Sequence, residues 1–124
     1  MIRAVISLGT NLGDRKKNMT AMTGYISALL DPPLKMSNIM ETKPVGVSGR
    51  QQWFYNLIVS GAFNESARSL FEKCCRVERK LGRVNKNTGK ARTADVDILL
   101  IDDAIIQEPD FIVPHPQILN RRFC

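Results

Sequence analysis

Arg92-Thr93-Ala94-Asp95-Val96-Asp97-Ile98-Leu99-Leu100 decides how the rest of the chain is read. Asp95 and Asp97 alternate with Val96, Ile98 and Leu100, a period of two. That period predicts a strand with one apolar face and one carrying two carboxylates on the same side. Two like charges held so close repel unless a cation lies between them. Oxygen donors of this kind suit Mg²⁺ shared with a phosphate, and Arg92 stands at the head of the strand to meet that phosphate. The spacing alone equally fits two solvated acids at a strand start.

Working outward, residues 3–8 read as a first strand, followed by Gly9-Thr10-Asn11-Leu12-Gly13-Asp14. Two glycines around Asn11 predict a strand-to-helix turn, with Asn11 or Asp14 as the helix cap. Gly-rich turns before helices can cradle phosphate, but no Gly-Lys-Ser/Thr follows, so this is not a Walker loop. Met19, Met22, Ile26, Leu29 and Leu30 recur at helical spacing until Asp31-Pro32-Pro33 stops them. Residues 34–42 read as a second strand, and the Thr42–Arg50 stretch as a loop long enough to be functional. Residues 53–60 form the clearest strand, with Trp53, Tyr55, Leu57 and Val59 expected on the buried face. Phe54, Asn56 and Ile58 fall on the other face, which the pattern alone reads as solvated; there Asn56 can also donate and accept toward a heterocycle edge and Phe54 can stack on it. Asn64 is the expected cap of a second helix, whose stripe runs Ala67, Leu70, Phe71, Cys74, Val77 and Leu81 and stops at Gly82.

Residues 83–92 form a cationic loop without an acid, then comes the two-Asp strand. Asp102-Asp103 reads as a turn, and residues 104–106 and 111–113 as the arms of a short hairpin. Pro114-His115-Pro116 leads into a short helical end over residues 118–123. The prolines fix the direction of His115, which serves either as a structural group or as a phosphate contact near Arg121. The order β-α-β-β-α-β predicts an α+β, ferredoxin-like βαββαβ fold, an antiparallel sheet with helices on one face plus the C-terminal hairpin and helix. Phe54, Asn56, Asp95 and Asp97 then share the open face if their strands neighbour each other.

At 124 residues the chain is sized for one domain, expected over 1–124. No apolar run reaches the ~20 residues that span a bilayer, and the N-terminus lacks a signal-peptide layout. Three cysteines without metal spacing fit a reducing, cytoplasmic setting. The net charge of +6 suits an anionic partner, either nucleic acid or a phosphorylated small molecule, or serves solubility alone.

A run of short motifs, in this order and spacing, carries more. These are Ser7-Leu8-Gly9-Thr10-Asn11-Leu12-Gly13-Asp14-Arg15, Glu41-Thr42-Lys43-Pro44-Val45-Gly46 and Phe54-Tyr55-Asn56. Glu78 with Leu81-Gly82-Arg83, the Arg92–Leu100 stretch, Val113-Pro114-His115-Pro116 and Asn120-Arg121-Arg122-Phe123 follow. Together they resemble the 6-hydroxymethyl-7,8-dihydropterin pyrophosphokinases, the folate-pathway family abbreviated HPPK, over nearly the whole chain. The resemblance implies transfer of pyrophosphate from ATP to the pterin hydroxymethyl group, releasing AMP. It implies two Mg²⁺ ions on Asp95 and Asp97, with Arg83 and Arg92 as further catalytic groups neutralising the phosphates. Thr42, Val45, Phe54, Asn56 and Phe123 would bind the pterin, Phe54 and Phe123 as a sandwich and Asn56 at its edge. Glu78, Arg83, Arg92, Ile98, Ile112, His115 and Arg121 would bind ATP, with the two isoleucines near adenine.

ATP then accounts for the basic charge, with neither nucleic acid nor membrane needed. The chain departs from the family pattern at four places. It ends at Cys124, where members usually continue through a further helix and strand, and a second subunit is one way to cover that region. Lys90-Ala91 replaces the usual proline before Arg92, Gln52-Trp53 precedes the pterin strand, and Cys75 stands where a Gln is common. Two other readings follow: a short relative that binds pterin and ATP but turns over weakly, and a ferredoxin-like nucleic-acid-binding module. The second sits badly with Asp95 and Asp97, which would repel a phosphate backbone without metal.

Overall fold

A computed structural model describes residues 1–43, 52–82 and 93–116. Val45, Arg83, Arg92, Arg121 and Phe123 lie outside the described residues, as does the expected C-terminal helix. The elements run β1 (Ile2–Thr10), α1 (Arg15–Leu29), β2 (Asp31–Met36), β3 (Met40–Thr42), β4 (Phe54–Phe63), α2 (Ala67–Lys80), β5 (Asp95–Ile101), β6 (Ile106–Glu108) and β7 (Phe111–Val113).

The main sheet has the order β2-β4-β1-β5, with β3 also on β4, and every pairing is antiparallel. Apart from the extra β3 this is the ferredoxin-like order, with the first and third strands of the repeat in the middle. Alternation sets the faces. Ala4, Ile6 and Leu8 of β1, Leu57, Val59 and Phe63 of β4, and Val96, Ile98 and Ile101 of β5 are buried in one cluster. Met19, Met22 and Ile26 of α1 close over it, as do Leu70, Cys74 and Val77 of α2. Each large apolar side chain covered in this way contributes about 1.5–3 kcal/mol before entropy is counted. Cys74, buried here, behaves as a small core hydrophobe, as its place on the stripe predicts.

Several expectations shift. Residues 34–42 are not one strand: β2 and β3 flank a break at residues 37–39. Ser37 bridges it, its backbone N–H donating to Ile58 O at 2.8 Å and its Oγ accepting from Ile58 N at 2.9 Å. A side-chain oxygen thus satisfies a backbone donor that the ladder would otherwise serve. Pro32 and Pro33 stop α1 and also open β2, which sits at the sheet edge where proline is tolerated. The cap of α2 is Ser66, not Asn64; its side chain accepts from Ser69 N at 3.1 Å. At α1 the cap is Asp14, whose Oδ1 accepts from Lys17 N. Trp53 precedes β4 instead of joining its buried face, and is 49% exposed. The first hairpin arm is Ile106–Glu108, two residues later than expected, and pairs with Phe111–Val113.

Strand β5 carries one irregularity. Val5 pairs with Leu100 and Ile6 with Ile98, so Leu99 has no partner opposite it on β1. This is a β-bulge of one residue.

Candidate active site on the open sheet face

The face away from the helices is built from the residues that alternate with the core. On β1 these are Val5, Ser7 and Gly9, because Ala4, Ile6 and Leu8 are turned to the helices. The register then aligns two rows. Gly9 pairs with Asn56 on one side and Asp95 on the other. Ser7 likewise pairs with Ile58 and Asp97. Strands β4 and β5 are therefore not neighbours, as the sequence reading required for a shared face; β1 runs between them and the face is still common.

Both rows carry covered polar groups. Asn56 is 4% exposed, Asp95 6% and Asp97 8%. The Asn56 amide donates to the Thr42 hydroxyl, which reaches it from β3 because Met40 pairs with Asn56 and Thr42 with Phe54. That bond fixes the orientation of the amide. Gly9 keeps the row low. A Cβ built there would lie 3.2 Å from Asn56 Oδ1 and 3.5 Å from Phe54 Cδ1. The bare backbone of Gly9 thus forms a floor between the amide and the carboxylates. Sequence reading assigned Gly9 to a turn; extending the alternation of residues 3–8 by two residues would have placed it in the strand.

Asp97 has a histidine beside it. His115 Nε2 lies 3.6 Å from Asp97 Oδ1, and the His115 side chain is 20% exposed. Its backbone N–H donates at 3.0 Å to Leu99 O, the carbonyl of the bulged residue. Glu78 comes to β5 from the other side. It is buried on α2, and its Oε2 accepts from Val96 N at 2.7 Å. β5 ends the main sheet, so these contacts tie its outer edge to α2 on one side and to the segment after β7 on the other. Thr93 extends the tie, its hydroxyl donating to Leu81 O at the end of α2.

The remaining expected residues separate. Ile112 is exposed on β7, alternating with the buried Phe111 and Val113. Ile98 belongs to the core, on the opposite side of β5 from Asp95 and Asp97. A ligand could touch both Ile98 and the carboxylates only by passing round the β5 edge. The structure thus brings together Thr42, Phe54, Asn56, Asp95, Asp97 and His115, and places Glu78 and Ile98 behind them.

The turn after β1 positions the amide side of the face. Asn11, nearly fully buried, donates its amide to Gln52 O at 3.2 Å. Arg15 donates to Trp53 O at 2.9 Å and lies over the Tyr55 ring at 4.1 Å. The start of β4 is thereby tied down just before Phe54 and Asn56. A surface depression of about 390 Å³ lined by Arg15, Glu41, Gln52 and Trp53 lies on this side and reaches neither Asp95 nor Asp97.

The donor set decides which metal fits. Among the described residues no group of three or more His, Cys, Asp and Glu side chains is arranged as a metal cage. Two carboxylates on one strand face suit Mg²⁺, which keeps waters and substrate phosphates in its shell and is held by one or two protein carboxylates. No helix among the described residues is long and apolar enough to cross a membrane.

Residues 5–124 match the family model described as 7,8-dihydro-6-hydroxymethylpterin-pyrophosphokinase (HPPK). The chain is 35% identical over 121 residues to a Bacillus subtilis protein named 2-amino-4-hydroxy-6-hydroxymethyldihydropteridine pyrophosphokinase. That alignment covers 97% of this chain and 72% of the relative. A Methylorubrum extorquens protein of the same name is 29% identical, over 99% of this chain and 78% of its own length. The chain is also 34% identical to a Chlamydia caviae folate synthesis bifunctional protein, covering 95% of this chain and 28% of that one.

Proposed function

The chain belongs to the HPPK family, and from that premise we propose that it transfers pyrophosphate from ATP to the hydroxymethyl group of 6-hydroxymethyl-7,8-dihydropterin, in folate synthesis. The pterin hydroxyl oxygen forms a bond to the β-phosphorus, the bond between that phosphorus and the α,β-bridging oxygen breaks, and AMP leaves. The hydroxyl proton is lost in the same exchange. The observation that supports this reading most is the covered polar groups themselves: the Asn56 amide, the bare Gly9 and the Asp95 carboxylate in one row, with the Asp97 carboxylate in the row beside it, across three strands of one face.

Each part has a task in that chemistry. Asn56, held by Thr42, reads the pterin edge, and Phe54 offers a ring face. Val45 and Phe123 complete the pterin contacts by family likeness. Asp95 and Asp97 would hold two Mg²⁺ ions, which supply charge neutralisation on the transferring phosphates and acidify the attacking hydroxyl. Phosphoryl transfer asks little covalent chemistry of a protein, so alignment and charge supply most of the rate. His115 meets the phosphate chain beside Asp97, and Arg83, Arg92 and Arg121 add positive charge to it. The nucleotide wraps the β5 edge, its base toward Ile98 and Ile112 and its phosphates toward the carboxylates. Glu78 serves the nucleotide by holding the β5 backbone at Val96.

The test is AMP release from MgATP by the purified chain, with and without 6-hydroxymethyl-7,8-dihydropterin. Pterin-dependent AMP is expected. A folded chain that binds pterin without releasing AMP would point to the weak relative, and one that binds neither substrate would sink the reading.

A further inference from the structure

The hairpin that carries Ile112 and leads to His115 is latched to α2 at its far end. Arg68, in the first turn of α2, donates through Nη1 to Asp110 Oδ1 at 2.7 Å and through Nη2 to Asp110 Oδ2 at 2.9 Å. Nη1 also reaches Glu108 Oε1 at 3.0 Å. Asp110 lies in the turn between β6 and β7, and Glu108 ends β6, so one guanidinium grips both sides of the turn. Beneath it, Phe71 of α2 and Phe111 of β7 stack with centroids 4.5 Å apart and planes 15° off parallel. Arg68 caps that stack, its guanidinium carbon 5.3 Å from the Phe71 centroid. A bidentate fork between planar groups fixes orientation as well as distance.

None of these groups touches the open face. The hairpin presents Ile112 on its exposed side, and His115, two residues beyond its end, stands beside Asp97. α2 holds the β5 edge from behind, through Glu78. We propose that Arg68 and Asp110 are a positioning pair for the nucleotide, holding the β6–β7 hairpin against α2 so that His115 stands beside Asp97 and Ile112 faces the base. The proposal rests on the reading of the site as an ATP site. The hydrogen bonds from Arg68 hold the Asp110 carboxyl below its ordinary range, so the pair stays ionised at neutral pH. Its exposure means that the pair acts by direction more than by stability, since exposed ion pairs add little to folding.

The test uses the full chain and steady-state kinetics on both substrates. Arg68→Met and Asp110→Asn are each expected to raise KM for MgATP by about three- to tenfold, the range of one well-oriented charged contact. kcat and the pterin KM should stay within about twofold, because neither carboxylate nor Asn56 is disturbed. Arg68→Lys, which keeps a positive charge toward Asp110 and Glu108, should recover at least about half of the ATP affinity lost in Arg68→Met on the free-energy scale. An unchanged KM for MgATP in both single variants overturns the proposal. So does a parallel rise in both KM values, which marks a general loosening, or an Arg68→Lys variant no better than Arg68→Met. If Arg68→Met does not fold, the same criteria apply to Asp110→Asn. A wild-type chain without pterin-dependent AMP release removes the functional reading and this proposal with it; an active wild type with unaffected variants removes this proposal alone.

Discussion

The two faces of the main sheet differ in what they bury. Toward the helices, Ile6, Leu8, Val59 and Ile98 are buried among apolar neighbours. Toward the open side, one residue away along the same strands, Ser7, Asn56, Asp95 and Asp97 are buried too. Apolar burial drives folding, whereas burial of an amide and two carboxylates costs free energy unless each finds partners. The helix face therefore holds the molecule together, while the open face keeps its covered polar groups beside partners such as Thr42 and His115. A strand period of two lets one segment do both.

This division is open to attack by substitution. The largest effect is expected from Asp97→Asn, which keeps volume and removes the charge. kcat should fall by about 10²–10³-fold, the scale of losing one preorganised electrostatic group, with Tm little changed. A Tm loss with activity retained would reverse the roles of the faces. Leu70→Ala, at a fully buried position of α2, should destabilise by about 2–5 kcal/mol in urea unfolding. The folded fraction should keep its wild-type kcat; a loss of kcat would mean that the helix layer tunes the chemistry directly. Gly9→Ala sharpens the comparison from between the two, since its Cβ would press on Asn56 Oδ1. The pterin KM should rise about tenfold, roughly one displaced hydrogen bond, while the ATP KM holds. Ser66→Ala should cost only about 1 kcal/mol, the value of a cap, and leave kinetics alone. Asn64→Ala should cost less, because Ser66 makes the bond to Ser69 N.

Much of this was legible in the sequence, where local rules and tertiary demands agree. The period of two around Asp95 and Asp97, the 3.6 period through Leu70, Cys74 and Val77, and the β-α-β-β-α-β order all survive into the structure. The signals that misled were short-range ones with two valid outcomes. Asn64 and Ser66 are both good caps, and only the backbone position of the first turn chooses between them. Trp53 continues the apolar alternation of β4 but stands before its first residue, so the pattern ran one residue past the strand. The break between β2 and β3 depends on Ser37 meeting Ile58, a contact across 21 positions of sequence. The latch between Arg68 and Asp110 spans 42. Ion pairs at that separation leave no local pattern, whereas the pairing of Asn56 with Gly9 follows once the strand order is known.

The missing partner of Leu99 has a consequence for how the site can be altered. Up to Ile98 the odd residues of β5 carry the carboxylates and the even ones the core; beyond Leu99 the parity inverts, so Leu100 aligns with Val5 and Ile101 with Ala4. The bulge is a phase shift, and the carbonyl at the shift is the one that anchors His115. Deleting Leu99 would make Ile98 and Leu100 consecutive, opposite Ile6 and Val5, so both halves of the strand would keep their faces in a regular ladder. What would go is the carbonyl that accepts from His115, and the histidine would lose its mooring. The extra residue serves the histidine, and the carboxylates keep their places without it.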